Sequence, residues 1–140
     1  MKKLLSLLTT VVLMLCFSVS AFALDEDPPI PFEPDDPYMY TREITSLLSI
    51  SSGNATCNSI VIGIPGEVTK IDIDQYLQKK VGNNWITIAT CNKVYTTTTA
   101  SFINTKTGLG SGTYRVYTLA YVFNNSSVEV VSAVSTQRTI

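Results

Sequence analysis

The sequence predicts an all-β fold, a sandwich of two antiparallel sheets with about seven strands. Three observations predict it. β-branched residues are dense after residue 40, turn residues interrupt them at short intervals, and no part of that region has a helical repeat of apolar residues. Many short strands separated by turns are typical of an antiparallel sandwich. A closed barrel is the main structural alternative.

The first three predicted strands are separated by glycine-containing turns. Gly53 lies in the first turn, and the pair Pro65-Gly66 forms the second. Part-way along the second strand, the apolar alternation moves from odd to even positions. This predicts a β-bulge near Asn58 and Ser59, because one inserted residue reverses the faces of the side chains that follow. These strands are predicted at residues 43–51, 55–64 and 68–80.

The fourth strand is predicted to return along the third as a β-hairpin. The sequence Gly82-Asn83-Asn84 between them consists of residues that tolerate positive φ, as tight hairpin loops require. The other three strands follow a threonine-rich crossing, a glycine-rich loop and an asparagine-serine turn. Strands four to seven are predicted at residues 85–91, 98–104, 113–123 and 128–136.

The N-terminus is predicted to be an export signal. Two lysines precede an apolar stretch at residues 4–18, and the small-residue pattern Ala21-Phe22-Ala23 favours cleavage after residue 23. A retained membrane anchor is the alternative, but the apolar stretch is shorter than the roughly 20 residues that span a bilayer. We therefore expect a signal peptide at residues 1–23, a secreted or extracellular mature chain, and no stable membrane span after processing.

An acidic, proline-rich leader is predicted at residues 24–40, ahead of one domain at residues 41–140. The leader has six acidic residues, no basic residue and five prolines. Such a segment buries too little apolar surface to fold alone, so we expect a disordered spacer. Calcium binding by its carboxylates is the alternative, but the ligand spacing of an EF-hand loop is missing.

Two cysteines, Cys57 and Cys91, remain after removal of the signal peptide. An even number of cysteines in an exported chain is typical of a disulfide. The bridge would close a loop of about 35 residues, which in the chain-entropy model is worth roughly 3–4 kcal/mol. A metal site or a cysteine nucleophile would need partners that the sequence does not supply, since it contains no histidine and no CxxC pair.

The sequence excludes several enzyme classes. Without histidine the chain cannot build a Ser-His-Asp site, a Cys-His site or a histidine metal site. Asp72 and Asp74 alternate with isoleucines, so both are predicted on one solvated face, which provides no means of raising the pKa of an acid catalyst. We predict no enzyme activity, no cofactor and no metal. The scattered basic residues predict no nucleic-acid binding.

The strongest functional indication is an aromatic stripe on the sixth strand. If Tyr114 faces the core, then Arg115, Tyr117 and Tyr121 face outward. Tyrosine and arginine are enriched in binding surfaces. Coverage of the stripe by neighbouring side chains is the alternative. Trp85, beside the hairpin turn, is predicted to pack against the third strand and is included in the possible binding face.

The segments YLQKKVGNNWITIAT and GTYRVYTLAYV resemble the central hairpin and the penultimate strand of fibronectin type III and related immunoglobulin-like domains. In those families a Tyr-x-Val-x-Val-like run carries a tyrosine corner, to which Tyr114 and Val116 correspond. The whole chain also resembles a group of short exported proteins of clostridia-type bacteria, of unknown function, with an LQKK…W hairpin and a late G-x-Y-R-V strand. The resemblance implies export and an immunoglobulin/fibronectin-III-like sandwich, but no activity.

The leading hypothesis is a secreted, non-catalytic binding or structural module of a bacterial envelope or of the extracellular space. Its partner would be a protein or an envelope polysaccharide. A secreted bacteriocin-like or toxin-like antagonistic factor is the alternative. An enzyme that uses Asp72 and Asp74 is a third hypothesis.

Overall fold

The computed structural model describes residues 38–140, and strands make up most of this range. The predicted signal peptide, and the predicted leader up to residue 37, lie outside the described residues. No helix within residues 38–140 is long and apolar enough to cross a membrane. The strands are β1 (Thr41–Ser51), β2 (Asn54–Gly63), β3 (Lys70–Val81), β4 (Asn84–Tyr95), β5 (Thr99–Lys106), β6 (Thr113–Phe123), β7 (Val128–Val134) and β8 (Arg138–Thr139).

The strands form two antiparallel sheets. The smaller sheet has the order β1-β2-β5, and the larger has the order β4-β3-β6-β7, with the short β8 also pairing with β6. The predicted all-β class and the two antiparallel sheets are confirmed. Each predicted strand overlaps one of β1 to β7, whereas the two residues of β8 were not predicted.

The core lies between the sheets and consists of two apolar clusters at different levels along the strands. Alternate residues of β2, β3 and β6 face it, because successive side chains of a strand point to opposite faces. One cluster includes Ile71 and Val122, and the other includes Leu77 and Tyr114, all of them buried. Each cluster contains side chains from both sheets, so the hydrophobic effect holds the sheets together.

A layer of buried polar side chains separates the two clusters. Its members come from β1, β2, β3 and β6 and are at most 6% exposed: Ser46, Ser59, Gln75 and Thr118. The Ser59 and Thr118 hydroxyl oxygens are 2.7 Å apart, and Gln75 Nε2 donates to Ser59 Oγ at 2.8 Å. Thr118 Oγ1 donates to Ser46 Oγ at 3.0 Å. Within residues 38–140 every buried side-chain nitrogen and oxygen has a hydrogen-bond partner, so the layer is satisfied.

The bulge predicted near Asn58 and Ser59 is wrong. β2 pairs with β1 and β5 without a register shift at these residues, and its odd-numbered residues from 55 to 63 are all buried. Ser59 therefore faces the core, and Ile60 and Ile62 lie half-buried on the other side. Apolar alternation alone favours isoleucine over serine in the interior. The hydrogen bonds of the polar layer make the buried serine tolerable.

A bulge does occur in the hairpin of β3 and β4. The register shifts between Leu77 and Gln78 of β3, and Ile88 of β4 is the extra residue. The turn sets Trp85 opposite Lys80, so both side chains lie on the side of the sheet away from the core. The extra residue reverses the facing of the residues that follow it, and Cys91 consequently points toward the smaller sheet.

Hydrogen bonds fix two chain segments at the ends of the sandwich. The buried Tyr114 hydroxyl donates to the Gly110 carbonyl oxygen at 2.7 Å, which holds the loop before β6. The Glu129 carboxylate of β7 accepts from the backbone N–H groups of Tyr40 and Thr41 at 3.0 and 2.9 Å. The start of β1 is therefore fastened to the larger sheet by a charge-assisted contact.

Candidate binding face

All four residues predicted as a possible binding face lie on the outer face of the larger sheet. We use "outer face" for the side chains of β3, β4, β6 and β7 that point away from the core. Antiparallel pairing arranges these side chains in rows across the sheet. Arg115, Tyr117 and Tyr121 project from β6, and Trp85 projects from β4.

The Trp85 ring is in contact with two cations. The guanidinium carbon of Arg115 lies 4.3 Å from the ring centroid, and Lys80 Nζ lies 5.9 Å from it, both within range of cation–π attraction. Arg115 Nε also donates to Gln78 Oε1 at 2.8 Å, and Gln78 is only 2% exposed. The buried glutamine therefore orients the guanidinium against the indole. We call these four residues the Trp85 cluster.

A pair of tyrosines forms the next row. Tyr76 of β3 pairs with Tyr117 of β6, and their ring centroids are 5.8 Å apart. Tyr117 is 2% exposed, so it lies on the predicted face but is covered. Burial raises the pKa of Tyr117, against the opposing effects of a hydrogen bond with Ser132 and the Arg115 charge. Tyr121 is half-buried and keeps part of its side chain accessible.

Aliphatic side chains extend the outer face to both of its edges. Val128 and Val130 of β7 are each 49% exposed, and Val94 of β4 is 50% exposed. At one end of β6, Lys70 Nζ lies 3.6 Å from the Phe123 ring centroid, so a second cation contacts an aromatic ring. The outer face thus combines exposed apolar area with aromatic and cationic groups.

Two carboxylates lie on the same face. Asp72 and Asp74 point outward from β3 as predicted, although they are half-buried rather than fully solvated. Asn92 Nδ2 of β4 donates to Oδ1 of both, at 2.7 and 2.8 Å. Each carboxylate keeps acceptor positions that could receive hydroxyl or amide donors of a ligand. Within residues 38–140, no group of three or more His, Cys, Asp or Glu side chains is arranged to hold a metal ion.

The two cysteines lie away from the outer face, between the sheets. Cys57 of β2 is buried, and Cys91 of β4 is half-buried. Asn104 of β5 pairs with Cys57 in the sheet, and its Nδ2 donates to Cys91 Sγ. Burial, reinforced by the nearby Cys91, raises the pKa of Cys57 to about 11. Both cysteines are free thiols in the structure, so the predicted disulfide is not present in it.

The structure adds residues to the site that sequence reasoning did not single out. It brings Arg115 and Trp85 into contact and supplies Lys80, Gln78 and Tyr76 around them. The hairpin turn alone sets Lys80 opposite Trp85, so this neighbour could have been found from the sequence. The part played by Gln78 could not, because its contact with Arg115 depends on the pairing of β3 with β6, which are distant in sequence.

No family model matches the chain, and no curated protein or solved structure matches it either. The resemblances to immunoglobulin-like domains and to short exported clostridia-type proteins therefore stay predictions. The functional conclusion depends on the residue chemistry of the outer face.

Proposed function

We propose that the chain is an exported, non-catalytic module that binds a protein or a polysaccharide of a bacterial envelope or of the extracellular space. Its binding surface is the outer face of the larger sheet. The observation that carries the proposal is the Trp85 cluster, in which a partly exposed tryptophan contacts Arg115 and Lys80. Tryptophan, tyrosine and arginine are the residue types that contribute most to binding energy at interfaces.

The Trp85 cluster is ordered before a ligand arrives. The hydrogen bond from Arg115 to the buried Gln78 restricts the guanidinium, which in turn restricts the indole ring. A side chain that is already fixed loses less conformational entropy on binding. Tyr121 and the exposed valines supply further apolar area beside it.

The smaller sheet offers a less suitable surface. Leu47 of β1 and Ile103 of β5 are exposed on its outer side, at 49% and 60%. Among the described residues of this sheet, the side chains that point outward are aliphatic, hydroxyl, amide or charged groups, without an aromatic ring. The aromatic and guanidinium groups therefore favour the larger sheet as the binding surface.

The proposed fold is an immunoglobulin/fibronectin-III-like sandwich of seven main strands. Two features support it. The sheets have the orders β1-β2-β5 and β4-β3-β6-β7, with consecutive hairpins and crossings as in such sandwiches. The Tyr114 hydroxyl donates to the carbonyl oxygen of Gly110, four residues upstream, as a tyrosine corner requires.

The proposed setting is outside the cytoplasm, with the sheets joined by a disulfide between Cys57 and Cys91. The export signal predicted at residues 1–23 supports the compartment. The shared neighbour Asn104 supports the pairing, because it touches Cys91 and lies beside Cys57. A bond between β2 and β4 would tie one sheet covalently to the other.

The non-catalytic part of the proposal follows from composition. The chain contains no histidine, the side chain best suited to proton transfer near neutral pH. The outward carboxylates Asp72 and Asp74 both accept a hydrogen bond from Asn92 Nδ2.

Retention of the processed protein on Gram-positive envelope preparations tests the proposed binding. We expect Trp85→Ala to weaken retention about 10-fold or more, since truncating an interface hot spot costs roughly 2 kcal/mol or more. Ile103→Ala is the matched control, because Ile103 is exposed on the smaller sheet. Equal retention of the two variants would rule out the outer face as the binding surface.

Growth inhibition of other bacteria by the processed protein would favour the alternative function, a secreted antagonistic factor.

A further inference from the structure

We propose that Cys91 is a thiol modification site at which an external disulfide reacts first, and that Cys57 then displaces the external group and closes the bridge between the sheets. The inference rests on the disulfide included in the proposed function. It adds the order of the two steps and the chemical class of the reactant, a small or protein-borne disulfide.

Cys91 lies at the open side of the sandwich. Within the described residues, β4 ends the larger sheet on this side and β5 ends the smaller one. The two strands approach each other here, where the Tyr95 hydroxyl donates to the Ser101 carbonyl oxygen at 2.8 Å. Cys91 is half-buried between them and Cys57 is buried, so Cys91 is the more accessible of the two cysteines.

Cys57 lies one strand further inside. Its antiparallel partner is Asn104 of β5, and directly opposite residues have Cβ atoms about 4.5–5.5 Å apart. The Asn104 amide donates to Cys91 Sγ, so Cys91 reaches across from the larger sheet to the row that contains Cys57. The side chain of Asn104 is therefore next to both cysteines, at the place where a bond between the two sulfurs would form.

The two thiols differ in reactivity. Cys57 is 3% exposed, and burial followed by the nearby Cys91 raises its pKa to about 11, so it stays protonated at neutral pH. Disulfide exchange requires a thiolate and access to it. Cys57 meets neither requirement toward an external reactant. Once Cys91 is bonded in a mixed disulfide, it cannot ionise. The electrostatic effect of Cys91, one of the two causes of the raised pKa of Cys57, is then removed.

Two thiol–disulfide exchange steps form the bond between Cys57 and Cys91. The Cys91 thiolate attacks one sulfur of the external disulfide R–S–S–R, forming a Cys91–S–S–R bond and releasing R–S⁻, which takes up the proton that Cys91 lost. Cys57 then loses its proton and attacks Cys91 Sγ, releasing the second R–S⁻, which accepts that proton. Two protein thiols are oxidised to one disulfide, and one external disulfide is reduced to two thiols.

Oxidised glutathione, a small disulfide, provides the test on the reduced full-length mature protein. We expect the wild type to end as an internal disulfide without an adduct. We expect Cys57→Ser to stop at a mixed disulfide on Cys91, and Cys91→Ser to react at least 10-fold more slowly until denaturant exposes Cys57. Intact-mass measurement over time distinguishes these products.

A second measurement needs no variant. Brief alkylation of the reduced wild type, followed by peptide mapping, should label Cys91 well before Cys57. Equal labelling, or equal glutathione adducts in the two folded variants, would overturn the order while leaving the disulfide intact. Two thiols that both survive in the wild type after exhaustive oxidation would overturn the disulfide and this inference together. The binding function of the outer face would survive either result.

Discussion

The interior of the sandwich contains four polar side chains that sit at one level between two apolar clusters: Ser46, Ser59, Gln75 and Thr118. A buried polar group that loses its partner costs about 1–3 kcal/mol, whereas an intact hydrogen bond contributes about 0.5–1.5 kcal/mol to stability. Sliding β2 by one residue would put Asn58 or Ile60 in the place of Ser59 and remove the hydrogen bonds that Ser59 makes with Gln75 and Thr118. We therefore interpret the layer as a device that specifies strand register.

Thr118→Val tests the layer directly. Valine matches threonine in shape but leaves Ser59 and Ser46 without one of their partners. We expect the free energy of unfolding to fall by about 1–3 kcal/mol in urea titrations. The control is Thr90→Val, the same substitution at an exposed position of β4, for which a change within about 0.5 kcal/mol is expected. Equal effects at the two positions would contradict the layer's role.

Cys57 predicts how the stability of the reduced protein depends on pH. Its pKa is raised from 9.0 to about 11 in the folded protein, so the thiol favours folding fully below pH 9 and loses that contribution as the pH rises through 11. The loss approaches about 3 kcal/mol, at about 1.4 kcal/mol for each pKa unit. Cys57→Ala should show a smaller alkaline loss in urea titrations under reducing conditions. An identical pH profile for both proteins would contradict the buried thiol.

At the scale of elements, the β3–β4 hairpin decides what the outer face contains. Its turn sets Trp85 opposite Lys80, and because Lys80 points away from the core, Trp85 does so too and lies beside Arg115. The extra residue Ile88 reverses the facing of the residues that follow it, so Cys91 points toward the smaller sheet. The turn is thus the structural cause of the Trp85 cluster, and the bulge is the cause of the inward position of Cys91.

Deletion of Ile88 should remove the bulge and reverse the facing of β4 beyond it, so that Cys91 points away from the core. We expect brief alkylation of the reduced deletion variant to label Cys91 faster than in the wild type. Trp85, the only tryptophan in the sequence, lies between the turn and the bulge, so its emission maximum should stay close to that of the wild type. Ile88→Ala keeps the residue count and should retain the wild-type labelling rate. Equal labelling of the deletion variant and the wild type would show that the bulge does not set the facing of Cys91.

Strand positions could be predicted from the sequence because turn residues and β-branched runs act locally. The facing of residues could not always be predicted, because it depends on partners that are distant in sequence. Ser59 is buried only because Gln75 and Thr118 satisfy it, and the apolar alternation around it therefore indicated the wrong face. The outward side of β6 followed from simple alternation, whereas the burial of Tyr117 depends on how neighbouring side chains pack.

In the whole molecule, the two sheets present different chemical groups on the sides that point away from the core. The larger sheet presents aromatic rings, cations, carboxylates and exposed valines, and the smaller sheet presents mainly aliphatic and hydroxyl groups. A disulfide between the sheets would stabilise this arrangement by roughly 3–4 kcal/mol through loop closure without altering either face. The proposed binding surface and the proposed disulfide therefore lie in separate parts of the molecule.

Hydroxyl-radical footprinting of the processed protein, free and bound to its envelope fraction, locates the binding surface. We expect the labelling of Trp85, Tyr121 and Val130 to fall on binding, while the labelling of Leu47 and Ile103 stays unchanged. These five side chains report on the outward surfaces of both sheets in a single experiment. Protection of Leu47 and Ile103, with Trp85 still fully labelled, would show that the smaller sheet binds the partner and the outer face does not.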